Sequence, residues 1–424
     1  MVNSVNYPAW AEVDLETIVN NVKSIPKLVG QKPAILGVVK ANAYGHGLLP
    51  CALAMLQGGV TYLGVAQVSE AIALRQAGIT NKMAKILTWL YSSNAPFDRI
   101  INLDIEISVG SFWQLEKIVQ TVKKLPSKTK AKIHLKMDIE FGRDGFNPEQ
   151  YDNCFKTVLK HIAFLEVKGL WTHFAMADIP ENIANKKHLQ AYNLFVNKYI
   201  DYFGDSNLPL RHIANSAICL TRPELAFDMV RPGILAYGLK TIDSIDINKL
   251  GFVPAMSLMA YFSTIREYQD GQGVSYGHKY KPTKATKIGV VPLGYADGIR
   301  WTKNNYLKTY SFTRDDLINS VGAICMDQTL YDLGSNALEQ PGDKVEFFGV
   351  GESLVNRQKL KMPSYLTNEA KNNFETKNIK RLTADDVANM VGTIGYDIVT
   401  SVGQRIPRIY KNKAILGSYE KLLK

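Results

Sequence analysis

The feature that most limits the possible folds is a regular alternation of short apolar segments with helical patterns. The apolar segments are residues 34–40, 62–67, 85–90, 105–109, 132–138, 167–173, 210–215 and 229–235. Strands that alternate with helices pair as parallel neighbours, and eight of them suffice to close a (β/α)8 TIM-like barrel. An open, doubly wound sheet is the alternative, and the count of eight favours the barrel.

The segments between these strands carry the signals of amphipathic helices. Asp14 precedes one such pattern and is expected to cap its first turn. Residues 68–77 form a second pattern, which Gly78 is expected to end. Residues 112–123 and 187–203 are predicted as further helices around the barrel.

After about residue 247 the pattern changes to strand-like segments separated by turn residues. These segments are residues 255–265, 287–292, 316–325 and 344–348. Helical periodicity returns only at Thr383, which forms a capping-box pattern with Asp386. We therefore predict a barrel at residues 13–246, followed by a mainly β domain at residues 247–424.

Two further segments belong to the predicted second domain. Residues 9–13 have the composition of a short strand, so residues 1–12 are expected to join that domain. Residues 352–381 are rich in lysine and asparagine and include Pro363, which predicts a long polar surface excursion.

The composition excludes several classes of protein. Hydrophobic residues make up 46% and charged residues 21% of the 424 residues, as in a soluble globular protein. The sequence contains no apolar run of membrane-spanning length and no signal-peptide pattern, which predicts a cytoplasmic protein. The four cysteines are scattered, so we expect reduced thiols and no metal site. The net charge of +11 is dispersed, which favours a solvated basic surface over a nucleic-acid groove.

Polar side chains gather where the predicted strands end, at Lys40, Lys136, His173, Asn215 and Arg231. Barrel enzymes carry their active sites at the carboxyl ends of the strands. Lys40 follows an apolar run, and desolvation there would lower its pKa and make the amine nucleophilic, as Schiff-base chemistry requires. A lysine that reaches solvent from a strand end is the alternative.

The segment that carries Lys40 is Val-Lys-Ala-Asn-Ala-Tyr-Gly-His-Gly, at residues 39–47. It resembles the pyridoxal-phosphate lysine signature of the alanine racemases. Further segments resemble that family in the same order, at residues 171–175, 214–216, 230–234, 274–277, 294–298 and 325–327. The resemblance spans nearly the whole chain. It implies a barrel with a β domain, pyridoxal 5'-phosphate as cofactor and a head-to-tail homodimer.

The resemblance also implies roles for the reacting groups. Lys40 would bind the cofactor covalently and serve as the base or acid on one face of the substrate Cα. Tyr276 would serve on the opposite face and come from the partner subunit. His173 would contact that tyrosine, and Arg231 would contact His173 and face the pyridine nitrogen. Because a guanidinium does not readily give up a proton, the cofactor would be a poorer electron sink than one paired with aspartate.

The remaining site residues follow from the same resemblance. The phosphate group would be held by Tyr44, Ser216, Gly233 and Ile234, and the substrate or cofactor would be oriented by Arg143, Met326 and Tyr295. Lys136 matches a lysine that is carbamylated in many members of the family.

The chain departs from the family pattern at two places near these residues. Asp144 and the segment at residues 139–141 replace the usual neighbours of Arg143. Gln404 stands where some members have a phosphate-binding tyrosine. An added carboxylate at Asp144 is expected to compete for Arg143 and to alter the pocket around it.

The sequence therefore predicts an enzyme, a racemase that interconverts L- and D-alanine and supplies D-alanine for peptidoglycan. A serine or broad-specificity amino-acid racemase on the same fold is the alternative. A related decarboxylase is disfavoured by Arg231, since it would be expected to use a carboxylate at the pyridine nitrogen. A non-catalytic pyridoxal-phosphate protein is disfavoured by the β domain and Tyr276, because such relatives consist of the barrel alone.

Overall fold

A computed structural model describes residues 7–301, 307–350 and 381–423 of the chain. The predicted excursion at residues 352–381 lies outside the described residues, except for Arg381. The described chain contains two sheets, one of eight strands and one of nine. Within the described residues, no helix is both long and apolar enough to span a bilayer.

The eight-stranded sheet is parallel throughout, as the alternation with helices predicts. Its strands are β2 (Ala34–Val38), β3 (Tyr62–Gln67), β4 (Lys85–Leu90), β5 (Glu106–Val109), β6 (Ala131–Lys136), β7 (Leu165–Trp171), β8 (Leu210–His212) and β9 (Met229–Val230), in the spatial order β8-β7-β6-β5-β4-β3-β2-β9. The two outermost strands meet where the Arg231 backbone N–H donates to the Ala214 carbonyl at 2.8 Å. The sheet thereby curves into a nearly closed barrel, which confirms the predicted architecture of this part of the chain.

The helices surround the barrel or follow the second sheet. They are α1 (Leu15–Val29), α2 (Leu48–Gln57), α3 (Val68–Gln76), α4 (Phe97–Asn102), α5 (Phe112–Val122), α6 (Tyr151–Lys160), α7 (Ile183–Phe203), α8 (Ser216–Thr221), α9 (Ala384–Val391) and α10 (Gly395–Ser401). The predicted caps are confirmed, because the Asp14 carboxylate accepts the first-turn N–H groups and Thr383 forms a capping box with Asp386.

The nine-stranded sheet is mainly antiparallel and is built from both ends of the chain. Its strands are β1 (Ala9–Asp14), β10 (Met256–Tyr261), β11 (Thr264–Tyr268), β12 (Thr286–Val291), β13 (Lys308–Ser311), β14 (Asp316–Ser320), β15 (Thr329–Gly334), β16 (Lys344–Phe348) and β17 (Arg408–Lys411), in the order β11-β12-β15-β14-β13-β16-β10-β1-β17. The first strand pairs antiparallel with β10 and parallel with β17.

Several strands differ in extent from their predictions, for local reasons. The predicted strand at 255–265 is two strands, β10 and β11, which pair with different neighbours. The predicted strand at 210–215 ends at His212 because the Asn215 side chain caps α8. The strands β13, β15 and β17 were not predicted, since their segments carry too few apolar residues in strict alternation.

A partly buried carboxylate links the end of the barrel segment to a helix of the second domain. Asp385, in α9, accepts the backbone N–H of Lys240 at 3.0 Å. Burial raises the pKa of the Asp385 carboxyl to about 6, and the Lys240 contacts oppose that rise. The folded state therefore binds a proton at Asp385 more tightly than the unfolded chain does.

We expect Asp385→Asn to stabilise the protein at neutral pH. A raised folded-state pKa contributes stability that is complete below the unfolded pKa of 3.8 and is lost as the pH rises through about 6. An asparagine keeps an acceptor for the Lys240 N–H and never ionises, so its advantage over wild type grows from pH 5 to pH 8. Thermal unfolding at both pH values measures this advantage as a rise in Tm, of about 2 °C for each kcal/mol of added stability. An equal change at both pH values, or the same change in the exposed control Asp205→Asn, contradicts the prediction.

Candidate active site

The chain turns sharply where β2 ends, and Lys40 begins that turn. The segment Lys40–Tyr44 winds with left-handed geometry, with φ between 52° and 55° at each of its last four residues. Residues other than glycine pay about 1–2 kcal/mol each for this conformation. Such conformations persist only where the surrounding structure holds them, and they cluster at functional sites.

The middle of the left-handed turn is held by polar contacts from neighbouring segments. The Asn42 side-chain oxygen accepts the Leu48 backbone N–H at 2.8 Å, and the Asn42 N–H donates to the Glu70 carboxylate at 3.3 Å. The other oxygen of Glu70 accepts the Gln67 N–H at 3.1 Å, which fixes the carboxylate at the start of α3. Glu70 therefore ties the lysine turn to the neighbouring strand and helix of the barrel.

Aromatic rings close the buried side of the turn. The His46 Nδ1 atom lies 2.9 Å from the Tyr44 carbonyl, and its ring centroid lies 4.5 Å from that of Tyr237. The Tyr237 hydroxyl donates to the Val38 carbonyl at 3.0 Å. Burial lowers the pKa of His46 to about 4, so the ring is neutral and donates from Nδ1.

The last part of the chain braces the same turn from the other side. The Arg408 guanidinium donates to the Gly45 carbonyl at 3.0 Å. Gly47 has a φ of +109°, and a Cβ on it would lie 1.9 Å from the Tyr410 hydroxyl oxygen, so only glycine fits there. The position of Lys40 therefore depends on residues from both ends of the chain.

The Lys40 amine has the properties of a nucleophile. Desolvation lowers its pKa, the nearby Arg143 cation lowers it further, and Glu70 opposes both. The amine lies 5.9 Å from the centroid of the Tyr44 ring. A lysine with a lowered pKa at a barrel mouth is suited to Schiff-base chemistry.

A cradle for an anion lies beside this lysine. The Ser216 hydroxyl, in the first turn of α8, accepts the Gly233 backbone N–H at 2.9 Å. A Cβ on Gly233 would lie 2.3 Å from the Tyr44 hydroxyl, so that hydroxyl packs against the glycine backbone. Ile234 begins a 3-10 turn, Ile234–Tyr237, with Gly233 in front of it. Two hydroxyls and backbone N–H groups at a helical start are donors that fit a phosphate.

Arg231 lies buried at the end of β9 without a direct carboxylate partner among the described residues. Its guanidinium donates to the carbonyls of His212, at 2.6 Å, and Thr172, at 2.8 Å, and to the His212 ring at 3.2 Å. Burial lowers the pKa of Arg231 to about 10. Desolvation and the Arg231 cation hold the pKa of His173 well below its usual range, so His173 is neutral near pH 7.

Lys136 and Arg143 do not form the contacts of a single cluster. The Lys136 amine lies 3.4 Å from the Asp144 carboxylate. Burial lowers the pKa of Lys136, and Asp144 opposes that shift. The Arg143 guanidinium instead stacks on the Phe141 ring, 4.0 Å from its centroid. Asp144, which departs from the family pattern, therefore pairs with Lys136 rather than with Arg143.

Three predicted site residues lie on the surface of the second sheet domain. Tyr276, Met326 and Tyr295 are 72%, 53% and 46% exposed. Their loops contact one another, since the Tyr295 N–H donates to the Cys325 carbonyl at 3.0 Å and the Ser275 hydroxyl to the Ala323 carbonyl at 2.8 Å. No hydrogen bond among the described residues joins these three side chains to Lys40.

Some residues near the site gave no signal in the sequence. Tyr396, in α10, lies with its ring centroid 6.1 Å from that of Tyr44. Gln404, which stands where some family members have a phosphate-binding tyrosine, is exposed instead. Glu70 looked like an ordinary helix residue, although its carboxylate contacts the lysine turn. A polar residue in the first turn after a barrel strand is the only local signal that would have pointed to Glu70.

Comparison with known proteins agrees with this geometry. The family model described as alanine racemase, N-terminal domain, matches residues 13–241, and the C-terminal domain model matches residues 255–365. An alanine racemase of Thermobifida fusca is 35% identical over 407 residues, which cover 95% of this chain and 98% of that protein. An alanine racemase of Beutenbergia cavernae is 36% identical over 409 residues, with coverage of 96% and 98%.

Solved structures give the same result. The crystal structure of alanine racemase from Streptomyces lavendulae superposes with a TM-score of 0.82 at 33% identity, covering 95% of this chain and 97% of that one. Alanine racemase from Streptomyces coelicolor also has a TM-score of 0.82 at 33% identity, with coverage of 96% and 98%. The predicted fold class, a barrel followed by a mainly β domain, is confirmed. The chain belongs to the alanine racemase family.

Proposed function

We propose that this protein is a pyridoxal 5'-phosphate-dependent racemase that interconverts L- and D-alanine. One observation carries the proposal: a lysine of lowered pKa stands at the barrel mouth beside a cradle of phosphate donors. The relatives named above are alanine racemases over almost the full length of the chain. Their names do not favour the serine or broad-specificity alternative.

The residues of the site fit the cofactor. Lys40 would hold it through its amine, while Tyr44, Ser216, Gly233 and Ile234 would hold its phosphate. The Ser216 hydroxyl and the Gly233 N–H now bond to each other, so both are within reach of one shared anion. When bound, the cofactor supplies an electron sink that acidifies the substrate Cα–H bond.

Racemisation needs a proton carrier on each face of the substrate Cα. Lys40 is one carrier, since its lowered pKa lets the free amine accept a proton near neutral pH. Tyr276 is the other, and its 72% exposure on the second domain leaves it free to enter the site of a partner subunit. Met326 and Tyr295, on adjoining loops of the same surface, would reach the partner's substrate with it.

Arg231 and Arg143 have different tasks in this scheme. Arg231 would face the pyridine nitrogen, and its guanidinium can only donate a hydrogen bond there. A cofactor without a proton on this nitrogen would be a weaker electron sink, which would favour return of a proton to Cα by Lys40 or Tyr276 over transamination. Arg143 would orient the substrate carboxylate. Burial lowers the pKa of Lys136, whereas the Asp144 carboxylate, 3.4 Å away, favours the charged ammonium and so opposes carbamylation, which needs the neutral amine.

The proposed assembly is a cytoplasmic homodimer. It is supported by the three exposed side chains on one surface and by the full-length match to the family. Each site would take Lys40 from one chain and Tyr276 from the other. Mixing two inactive variants, Lys40→Ala and Tyr276→Phe, is expected to restore activity, because each mixed dimer contains one intact site.

The activity is tested by incubating the protein with L-alanine in deuterated water. Loss of optical rotation and incorporation of deuterium at Cα are expected together, since inversion exchanges the proton. L-serine and other L-amino acids are run in parallel, and alanine is expected to react fastest. Deuterium exchange without inversion, or no reaction with any amino acid, contradicts the proposal.

A further inference from the structure

A row of buried polar side chains runs from Arg231 across the interior of the barrel. The Arg231 Nη1 atom lies 3.2 Å from His212 Nδ1, and His212 Nε2 lies 2.8 Å from His134 Nδ1. His134 Nε2 in turn lies 2.6 Å from the Glu106 carboxylate. Glu106, His134 and His212 are fully buried, and Arg231 is 6% exposed. We call Glu106, His134 and His212 the buried relay; none of them has a role in the function proposed above.

The chemistry of the end groups fixes the direction of every hydrogen bond in the relay. A guanidinium has no acceptor, so His212 Nδ1 must accept from Arg231. Burial, Arg231 and His134 hold the pKa of His212 well below its usual range, so its single proton is on Nε2 and points to His134. His134 then carries its own proton on Nε2 and donates it to Glu106. The reverse direction would leave His212 without any proton.

The relay therefore places a cation at one end and a carboxylate at the other, with two neutral rings between them. A buried cation needs a counter-charge, and the direct acceptors of Arg231 are carbonyls and the His212 ring. Arg75, a cation whose pKa burial lowers and Glu106 helps to raise, donates instead to backbone carbonyls such as those of Leu103 and Ile79. Polarised hydrogen bonds in series strengthen one another, so Glu106 acts on Arg231 through the two rings.

One glycine makes the relay possible. His134 is on β6 and His212 is on β8, so the strand β7 separates them. The β7 residue between the two rings is Gly169, and a Cβ there would lie 2.1 Å from His134 Nδ1 and 2.8 Å from His212 Nε2. Any other residue would push the rings apart.

A neighbouring ring fixes the orientation of the same groups. Trp171 stacks on His212 with centroids 5.6 Å apart and an interplanar angle of 8°. The Arg231 guanidinium carbon lies 4.8 Å from the Trp171 ring centroid. The plane of His212 and the position of Arg231 are thus set by one indole ring as well as by the relay.

We propose that Glu106, His134 and His212 are positioning residues for Arg231, with Glu106 as its counter-charge. Gly169 has no side chain, and this leaves the space in which the two histidines make contact. The relay holds the guanidinium as a cation in one orientation at the barrel mouth. This inference rests on the proposed function, because there Arg231 faces the pyridine nitrogen of the cofactor.

Two variants of the cofactor-loaded enzyme test the relay. Glu106→Gln keeps an acceptor for His134 but removes the charge, and Gly169→Ala separates the two histidines. Each is expected to lower kcat about tenfold in both directions, with KM changed less than about twofold, because Arg231 contacts neither face of the substrate. Each is also expected to shift the visible absorbance of the bound cofactor. In the double variant the losses of kcat should not multiply, since both changes act through one relay.

A matched control separates positioning from stability. Tyr331→Phe removes another fully buried hydrogen bond, between its hydroxyl and that of Thr309 at 2.6 Å in the second sheet, away from the relay. It is expected to lower Tm and leave kcat and the cofactor absorbance unchanged. If Glu106→Gln and Gly169→Ala change Tm alone, or if their kcat losses multiply in the double variant, the relay has only a structural role and the proposal fails.

A measurement on the wild-type enzyme tests the direction of the hydrogen bonds in the relay even if the variants do not fold. Nitrogen-15 NMR of labelled histidines is expected to show His134 and His212 both protonated on Nε2 and not on Nδ1. A proton on His212 Nδ1 overturns the relay. Failure of the proposed function is recognised separately, because wild type would then not racemise alanine whatever the state of these two rings.

Discussion

Replacing Lys40 by alanine is expected to lower the rate of alanine racemisation by about 10³-fold or more. The change removes the amine that would hold the cofactor and also the proton carrier on one face of the substrate. The fold should survive, because the left-handed turn is held by Asn42, Glu70 and Arg408 and not by the lysine side chain. Initial rates from optical rotation measure the loss, and thermal unfolding checks the fold.

The control for this change is a lysine outside the site. Lys117 is exposed on α5, and Lys117→Ala is expected to leave both rate and Tm unchanged. Gel filtration with detection of the cofactor's visible absorbance adds an independent readout, because Lys40→Ala should lose the covalently held cofactor. A Lys40→Ala enzyme with more than a tenth of the wild-type rate refutes the assigned role.

Replacing Tyr276 by phenylalanine is expected to lower net racemisation by about 10²–10⁴-fold. L- and D-alanine have equal free energy in water, so kcat/KM for net inversion must fall by the same factor in both directions. The asymmetry appears instead in exchange of the Cα proton. The enantiomer whose proton faces Lys40 should still exchange with deuterated water, whereas exchange from the other enantiomer should fall with the rate of inversion.

Tyr280 provides the matched control for Tyr276. It lies four residues further along the same surface segment, and its hydroxyl bonds to Asp332. Tyr280→Phe is expected to leave exchange from both enantiomers near wild type, although loss of its hydrogen bond lowers stability. Small, equal losses of exchange from both enantiomers in Tyr276→Phe would be incompatible with a two-base mechanism.

The left-handed turn at Lys40 explains why these two predictions depend on the whole chain. Four consecutive residues without the freedom of glycine adopt positive φ, which isolated peptides avoid. The turn is kept by contacts from α3, from Tyr237 and from Arg408 near the last strand. The turn fixes the backbone position from which the Lys40 side chain extends, which suits an acid–base group that must meet one face of a substrate.

The sequence by itself determined the kind and order of most elements. Apolar periods of two and of 3.6 residues are local properties, so the barrel strands, the cap at Asp14 and the capping box at Thr383 could be predicted from neighbours in the chain. The long motif around Lys40 identified the family for the same reason, since its residues are contiguous.

Only the tertiary structure decided which distant residues meet. The strand Ala9–Asp14 pairs between β10 and β17, and Tyr396 rather than Gln404 lies beside Tyr44. Asp144 pairs with Lys136 because the chain folds back over the end of β6. Gly169 looks like an ordinary strand glycine in the sequence, but in the structure two histidines make contact across it. Most of these contacts join residues far apart in the chain, and Lys136 and Asp144, whose numbers differ by 8, meet because the chain folds back. Buried polar groups take their partners by three-dimensional proximity, which no local pattern records.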